Sequence, residues 1–168
     1  FVSRMQARAA DGSRQRVIAS PKHWLDYDLE GRKDAPSQVG PSRNDFDAVV
    51  LPQEQAEYFL PAWHATIAAG GASSLMCSTN RVNGVDACMN PTYLTGILRN
   101  RFNFSGYVVT DGNSCGNPNC EATVARHNAS AGWGAYGHQV ACELCIGAGT
   151  DVELGSTLKT YSAAAVAG

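Results

Sequence analysis

The chain has 168 residues, 44% hydrophobic and 17% charged, enough apolar material for one core but too short for two full domains. Its 13 Lys and Arg against 15 Asp and Glu give a formal net charge of -2 with no basic run, which argues against nucleic acid and against a polybasic membrane patch. No apolar run approaches the roughly 20 residues that cross a bilayer, and the longest, Ala163 to Ala167, is Ala-rich.

The opening FVSRMQARAADGSRQR lacks an initiator Met and an apolar signal-peptide core, the character of a processed or cut start. Short apolar runs then alternate with helical patterns, separated by Gly, Pro, Asn or Asp, in a βαβα rhythm. Four runs are continuous enough for buried parallel strands: Arg16 to Ser20, Ser73 to Cys77, Gly106 to Thr110 and Thr150 to Leu154. After the first, Leu25 to Asn44 has little periodicity, two prolines and two glycines, and reads as a long loop at the place where parallel α/β folds build ligand sites.

A helix is expected from Pro52 to Gly70, with Ala56, Phe59, Leu60, Trp63 and Ile67 on its apolar face and a kink at Pro61. Asn90 can cap a second helix that Pro91 opens and in which Leu94, Ile97, Leu98 and Phe102 recur at helical spacing. Val140, Leu144 and Ala148 mark a third, and another is expected after Gly155.

Six cysteines and two Asn-x-Ser sequons, at Asn103 and Asn128, suggest an oxidising, secretory compartment and a glycoprotein. Cys77 and Cys88 flank the turn-rich STNRVNGVDA, so a bridge between them would pin the loop leaving the second strand. The other pairings stay open, except that Cys142 and Cys145, three apart in one helix, are poorly placed to bridge each other. A metal reading of Cys115, Cys120, Cys142 and Cys145 with His138 nearby is the alternative, and disulfides are preferred to it.

The groups leaving the strands converge: Lys22 and His23 after the first, Ser78, Thr79 and Asn80 after the second, Asp111 after the third, and Glu153 near the end of the fourth. A carboxylate fixed directly after GYVVT and open to the mouth suits nucleophilic attack at a sugar carbon, with an ordinary Asx turn as the alternative. Lys22 and His23 could donate to sugar hydroxyls, against the alternative of a solvated Lys and a core His.

The segments PKHWLDYDLEG, RNDFDAVVLPQE, SLMCSTNRVNGVDACMNPTYLTGILRNRFNFSGYVVTD and AGTDVELG, in that order, resemble the motifs of glycoside hydrolase family 3, nearest its β-xylosidase branch. The resemblance implies an α/β fold, a partial (β/α)8 TIM-like barrel with about four parallel strands over 1–168, truncated at both ends. It also implies a retaining exo-β-glycosidase acting on an oligosaccharide or β-glycoside, with Asp111 as nucleophile, Lys22, His23 and Thr79 at the terminal sugar, and no cofactor or metal.

Where the family pattern has Tyr, this chain has Thr79, which removes an aromatic wall and a phenolic hydroxyl. The family's acid/base carboxylate comes from beyond the barrel. Glu121, Glu143 and Glu153 are the carboxylates of this chain that could stand in for it. The implied partners are therefore the missing barrel half, a second domain or another protein chain. Little turnover is expected from these residues alone. The competing reading is a noncatalytic glycan-binding or structural subunit of the same descent.

Overall fold

The computed structural model describes residues 1–31, 42–44, 46–115, 120 and 135–155, with side chains of the last helix described from Val140 onward. Asn128, Glu121, the side chain of His138 and the helix expected after Gly155 lie outside the described residues.

Three parallel strands form the main sheet in the order β1 (Lys22–Trp24), β3 (Ser74–Cys77) and β6 (Tyr107–Thr110), so β3 is central. Runs of β-branched and apolar residues explain β3 and β6, which pair in register from Ser74 with Tyr107 to Cys77 with Thr110. Helices intervene in the chain between these strands, as parallel pairing demands.

The first expected strand is displaced. Arg16 to Ser20 is not a strand, and Val17 and Ile18 are each 49% exposed. Pro21 has no N–H to give and restricts Ser20 before it, so the ladder starts at the Pro21 carbonyl, which accepts from Met76 N–H at 3.1 Å. Upstream, the chain is held by side chains instead. The Gln6 amide oxygen accepts from Ala19 N–H at 3.0 Å, and the Ser20 and Ser74 hydroxyls meet at 2.9 Å.

The fourth expected strand narrows to a single parallel bridge between Val152 and Val109. The cause is Asp151, whose carboxylate, rather than a backbone carbonyl, accepts from Val108 N–H at 2.7 Å. The same carboxylate pairs with Arg99 at 2.5 Å. The segment lies beside β6, held by Asp151 and Val152 N–H on Val108 O and by Thr110 N–H on Val152 O, with the Asp151 carboxylate taking the place of one ladder carbonyl.

A second small sheet joins β2 (Asp47–Ala48), β4 (Arg81–Val82) and β5 (Val85–Asp86). β4 and β5 form a hairpin whose turn, Asn83-Gly84, has positive φ at both residues, the type I′ signature.

The helix over 52–69 alternates α and π turns, with π character at Gln55–Phe59 and Ala65–Ala69. Leu60 and Ile67 are buried as expected, but Ala56 is exposed and Gln55 is buried in its stead. The π turns shift the helical phase, and Gln55 has a buried partner described below. Pro61 stands where the first π turn gives way to the α segment Leu60–His64. The Thr92–Arg101 helix starts as expected, with the Asn90 side chain accepting from Thr92 N–H at 3.2 Å.

Leu94, Leu98 and Phe102 pack with Trp24, Leu75, Val108 and, from the Ala135–Ala148 helix, Val140 and Ala148. Trp24 is fully buried and meets Trp63 edge-on at 5.3 Å, so the outward face of β1 is locked into the helical layer.

Cys77 and Cys88 are bridged, as are Cys115 and Cys145, which settles one of the open pairings. The second bridge takes two thiols from the metal alternative. Among the described residues no group of three or more His, Cys, Asp or Glu side chains is placed to hold a metal ion.

Candidate active site

The parallel register brings three strand ends level. Ser78 N–H donates to Trp24 O at 2.6 Å and Asp111 N–H to Cys77 O at 3.1 Å, so the residues leaving β1, β3 and β6 emerge side by side. Such carboxyl-terminal strand ends are where barrel folds place their chemistry.

His23 and Asp111 meet there. His23 Nε2 lies 3.4 Å from Asp111 Oδ2, with their side chains 18% and 28% exposed, sheltered but reachable. The other carboxylate oxygen of Asp111 accepts from Gly112 N–H at 2.7 Å, while Asn113 N–H, which an Asx turn would use, goes to Leu154 O at 2.9 Å. Burial pushes the His23 pKa below its usual value and Lys22 and Arg43 add to that, against the pull of Asp111 and Glu30. A neutral imidazole can still donate its Nε2 proton to the carboxylate.

Lys22 and His23 lie within β1 rather than after it, because the strand starts only past Pro21, and Lys22 is exposed. Thr79 is buried, and its hydroxyl points to the Arg43 carbonyl at 3.4 Å.

The structure adds residues that periodicity could not single out. Tyr27 stacks obliquely on His23, ring centroids 4.7 Å apart, and its hydroxyl donates to Glu30 at 2.9 Å. Arg43 pairs with the other Glu30 oxygen at 2.9 Å. Tyr27, then Glu30 and Asp111, hold the Arg43 guanidinium more firmly charged than usual. The two ends of the long loop thus fold back together, closed by Arg43 N–H to Gly31 O at 2.9 Å, and place a cation, a phenol and a carboxylate around the His23–Asp111 pair. Of the remaining carboxylates, Glu143 is exposed on the last helix and Glu153 lies by Asn113 near Gly155.

Beneath this mouth the turn after β1 is clamped by the loop leaving β3. Fully buried Asn80 donates to the carbonyls of Leu25, Asp26 and Arg81 at 3.2, 3.3 and 3.0 Å. Asp26 takes a left-handed φ of 56° and is buried, with Gln55 donating to its carboxylate at 3.2 Å. Burial raises the Asp26 pKa to about 6, the Gln55 bond opposing and Asp28 adding to the rise.

At these level strand ends a carboxylate and an imidazole stand together, with hydroxyl, guanidinium and carboxylate groups around them. The chain belongs to the family described as the glycosyl hydrolase family 3 N terminal domain, whose model matches residues 1–167. That domain is a TIM-barrel-like α/β fold, and the strands here are part of one.

Among its relatives, the chain is 35% identical over 106 residues to the Medicago sativa subsp. varia protein "Beta-xylosidase/alpha-L-arabinofuranosidase 1", covering 63% of this chain and 13% of the relative. To the Aspergillus oryzae "Probable exo-1,4-beta-xylosidase bxlB" it is 33% identical over 155 residues, 91% of this chain and 18% of the relative. The solved structure of a GH3 exo-beta-xylosidase (XlnD) with a xylobiose aziridine activity-based probe superposes with TM-score 0.77 at 28% identity, covering 99% of this chain and 20% of that one. The chain thus spans about a fifth or less of the length of these proteins.

Proposed function

We propose that these residues form the nucleophile-bearing segment of a secreted, retaining exo-β-glycosidase of the β-xylosidase type. The observation that carries the reading is the approach of His23 Nε2 to within 3.4 Å of Asp111 Oδ2 at level strand ends. The substrate is an oligosaccharide or β-glycoside with a terminal β-linked sugar, in keeping with the xylosidase relatives.

In the first step an Asp111 oxygen bonds to the anomeric carbon as the bond from that carbon to the leaving oxygen breaks, and the leaving oxygen takes a proton from an acid. Water then adds at the same carbon, the bond to Asp111 breaks, and the proton returns to the acid's conjugate base. His23 steadies the carboxylate, and Lys22 and Arg43 hold hydroxyls. Both steps are carboxylate chemistry and call for no metal or organic cofactor.

The acid is supplied by a second domain or another chain, which the much greater length of the relatives allows. Retention requires the two carboxyl groups about 5–5.5 Å apart, so these 168 residues alone turn over substrate weakly or not at all.

One observation favours the second reading, a noncatalytic glycan-binding or structural subunit. Thr79 is buried with its hydroxyl directed to Arg43 O, so it offers the mouth no aromatic wall.

The test is incubation with a mechanism-based fluorinated xyloside, of this chain and of the longest natural chain that carries it, followed by peptide mass mapping. A sugar ester on Asp111 that Asp111→Asn abolishes is the expected result. Xyloside binding by the longer chain with no ester on Asp111 would instead establish the noncatalytic reading.

A further inference from the structure

An open pocket lies at the end of the strands opposite the mouth. It has a volume of about 480 Å³, within the range of roughly 300–1,000 Å³ usual for small-molecule sites. Its walls include Ile67 and Ala72 from the end of the 52–69 helix and the turn to β3, and Phe102, Asn103 and Phe104 from the turn into β6.

Asn103 is also the first residue of the sequon Asn103-Phe104-Ser105. The fold presents that sequon openly. Asn103 takes a left-handed φ of 54° just past the Thr92–Arg101 helix, Asn103 and Ser105 are exposed, and Phe104 between them is buried. The turn therefore offers the acceptor amide and the hydroxyl to solvent while the intervening ring anchors the backbone.

We propose that Asn103 is a site of N-linked glycosylation and that the first N-acetylglucosamine of its glycan occupies this pocket. The pocket suits one sugar ring. Apolar side chains such as Ile67 and Phe102 line it to cover a ring face, and exposed Asn103 and Ser105 bring polar groups to its edge. In the attachment step the Asn103 side-chain nitrogen replaces the phosphate leaving group of a lipid-linked oligosaccharide at the anomeric carbon, with loss of one proton.

The position is compatible with the active site. Between Gly106 and Asp111 run the four residues of β6, so at about 3.3 Å per residue the pocket is roughly 16 Å from the nucleophile along the strand. A glycan there shields the strand-start end of the sheet and leaves the mouth open.

This inference rests on the secretory part of the proposed function, and the experiment separates the two. The full chain and its Ser105→Ala variant, which leaves Asn103 itself in place, are produced in a eukaryotic secretory host. Glycan occupancy is mapped by enzymatic release in heavy-oxygen water, which marks each formerly glycosylated Asn as labelled Asp.

The expected result is a marked Asn103, lost in Ser105→Ala. In addition, protein trimmed to one N-acetylglucosamine should keep the melting midpoint of the intact glycoprotein, whereas full removal should lower it by about 3 °C. An unmarked Asn103 beside a marked Asn128 would overturn the inference and leave the secretory reading standing. Equal midpoints for the trimmed and bare forms would overturn the pocket assignment. Retention inside the cell with both sequons unmarked would overturn the secretory reading and the inference with it.

Discussion

The Ser78 hydroxyl accepts from Leu25 N–H at 3.0 Å and donates to Leu25 O at 3.2 Å, satisfying both polar groups of one fully buried residue. Leu25 directly follows β1, so this side chain from the loop after β3 fixes the turn that leaves His23 and leads to Tyr27. Once the hydroxyl is gone the Leu25 carbonyl keeps its bond from Asn80, but the buried Leu25 N–H loses its partner away from water. Ser78→Ala should therefore cost about 1–3 kcal/mol, the range for stranding buried polar groups, read from urea denaturation midpoints. A midpoint equal to that of the native chain would mean that the clamp carries no stability.

His23 is placed to act on Asp111 itself. If the imidazole steadies the carboxylate for attack, His23→Gln should slow formation of the Asp111 sugar ester about 10²-fold, as loss of one aimed donor does in other sites. Intact-mass kinetics with the fluorinated xyloside in the longest natural chain would show it. An undiminished rate would reduce their 3.4 Å approach to a packing contact.

What the sequence made legible followed from locality. β3 and β6 were readable because SLMC and YVVT are apolar runs bounded by polar turns, and the Asn90 cap because its bond spans two residues. β1 was not, since Lys22–Trp24 is short, begins with two polar residues and exists only by pairing with β3, while the more apolar Arg16 to Ser20 lies half outside the core. The β4–β5 hairpin carries its local signal in Asn83-Gly84, a two-residue turn inside the turn-rich segment between Cys77 and Cys88. Asp111 and His23 stood out at strand ends, and the ordered motifs then fixed the family. Arg43, Tyr27 and Glu30 meet only when the long loop closes, and Gln55 is buried by a π-shifted helix and a partner 29 residues away.

Asp26 sets a measurable pH dependence. Its carboxyl is buried, its folded pKa is about 6, and the unfolded value is near 3.8. Because the folded value is the higher one, the folded state prefers the protonated form. Its contribution to stability is full below pH 4 and is lost as the pH rises from about 4 to about 6. Asp26→Asn keeps the shape without the ionisation, so the variant should gain on the native chain across that window by about 1–3 kcal/mol, allowing for partial screening. Chemical denaturation at pH 4, 5, 6 and 7 reads it, and parallel curves would show that Asp26 does not titrate in this range.

The two disulfides hold the two loops that frame the site. Cys77–Cys88 closes an 11-residue separation around the loop bearing Ser78, Thr79 and Asn80, and Cys115–Cys145 closes one of 30 between the end of the Asp111 loop and the last helix. Cross-links act mainly on the unfolded chain, more strongly for longer loops, at about 3 kcal/mol for separations of this order. Replacing either pair by Ala should lower the denaturation free energy by about that amount, with the Cys115–Cys145 pair costing more. The site should respond in the other order. Cys77–Cys88 lies directly under the Ser78 and Asn80 clamp, so its removal should slow sugar-ester formation at Asp111 more than loss of the more distant bridge does. Equal slowing by both replacements would show that the bridges serve overall stability alone.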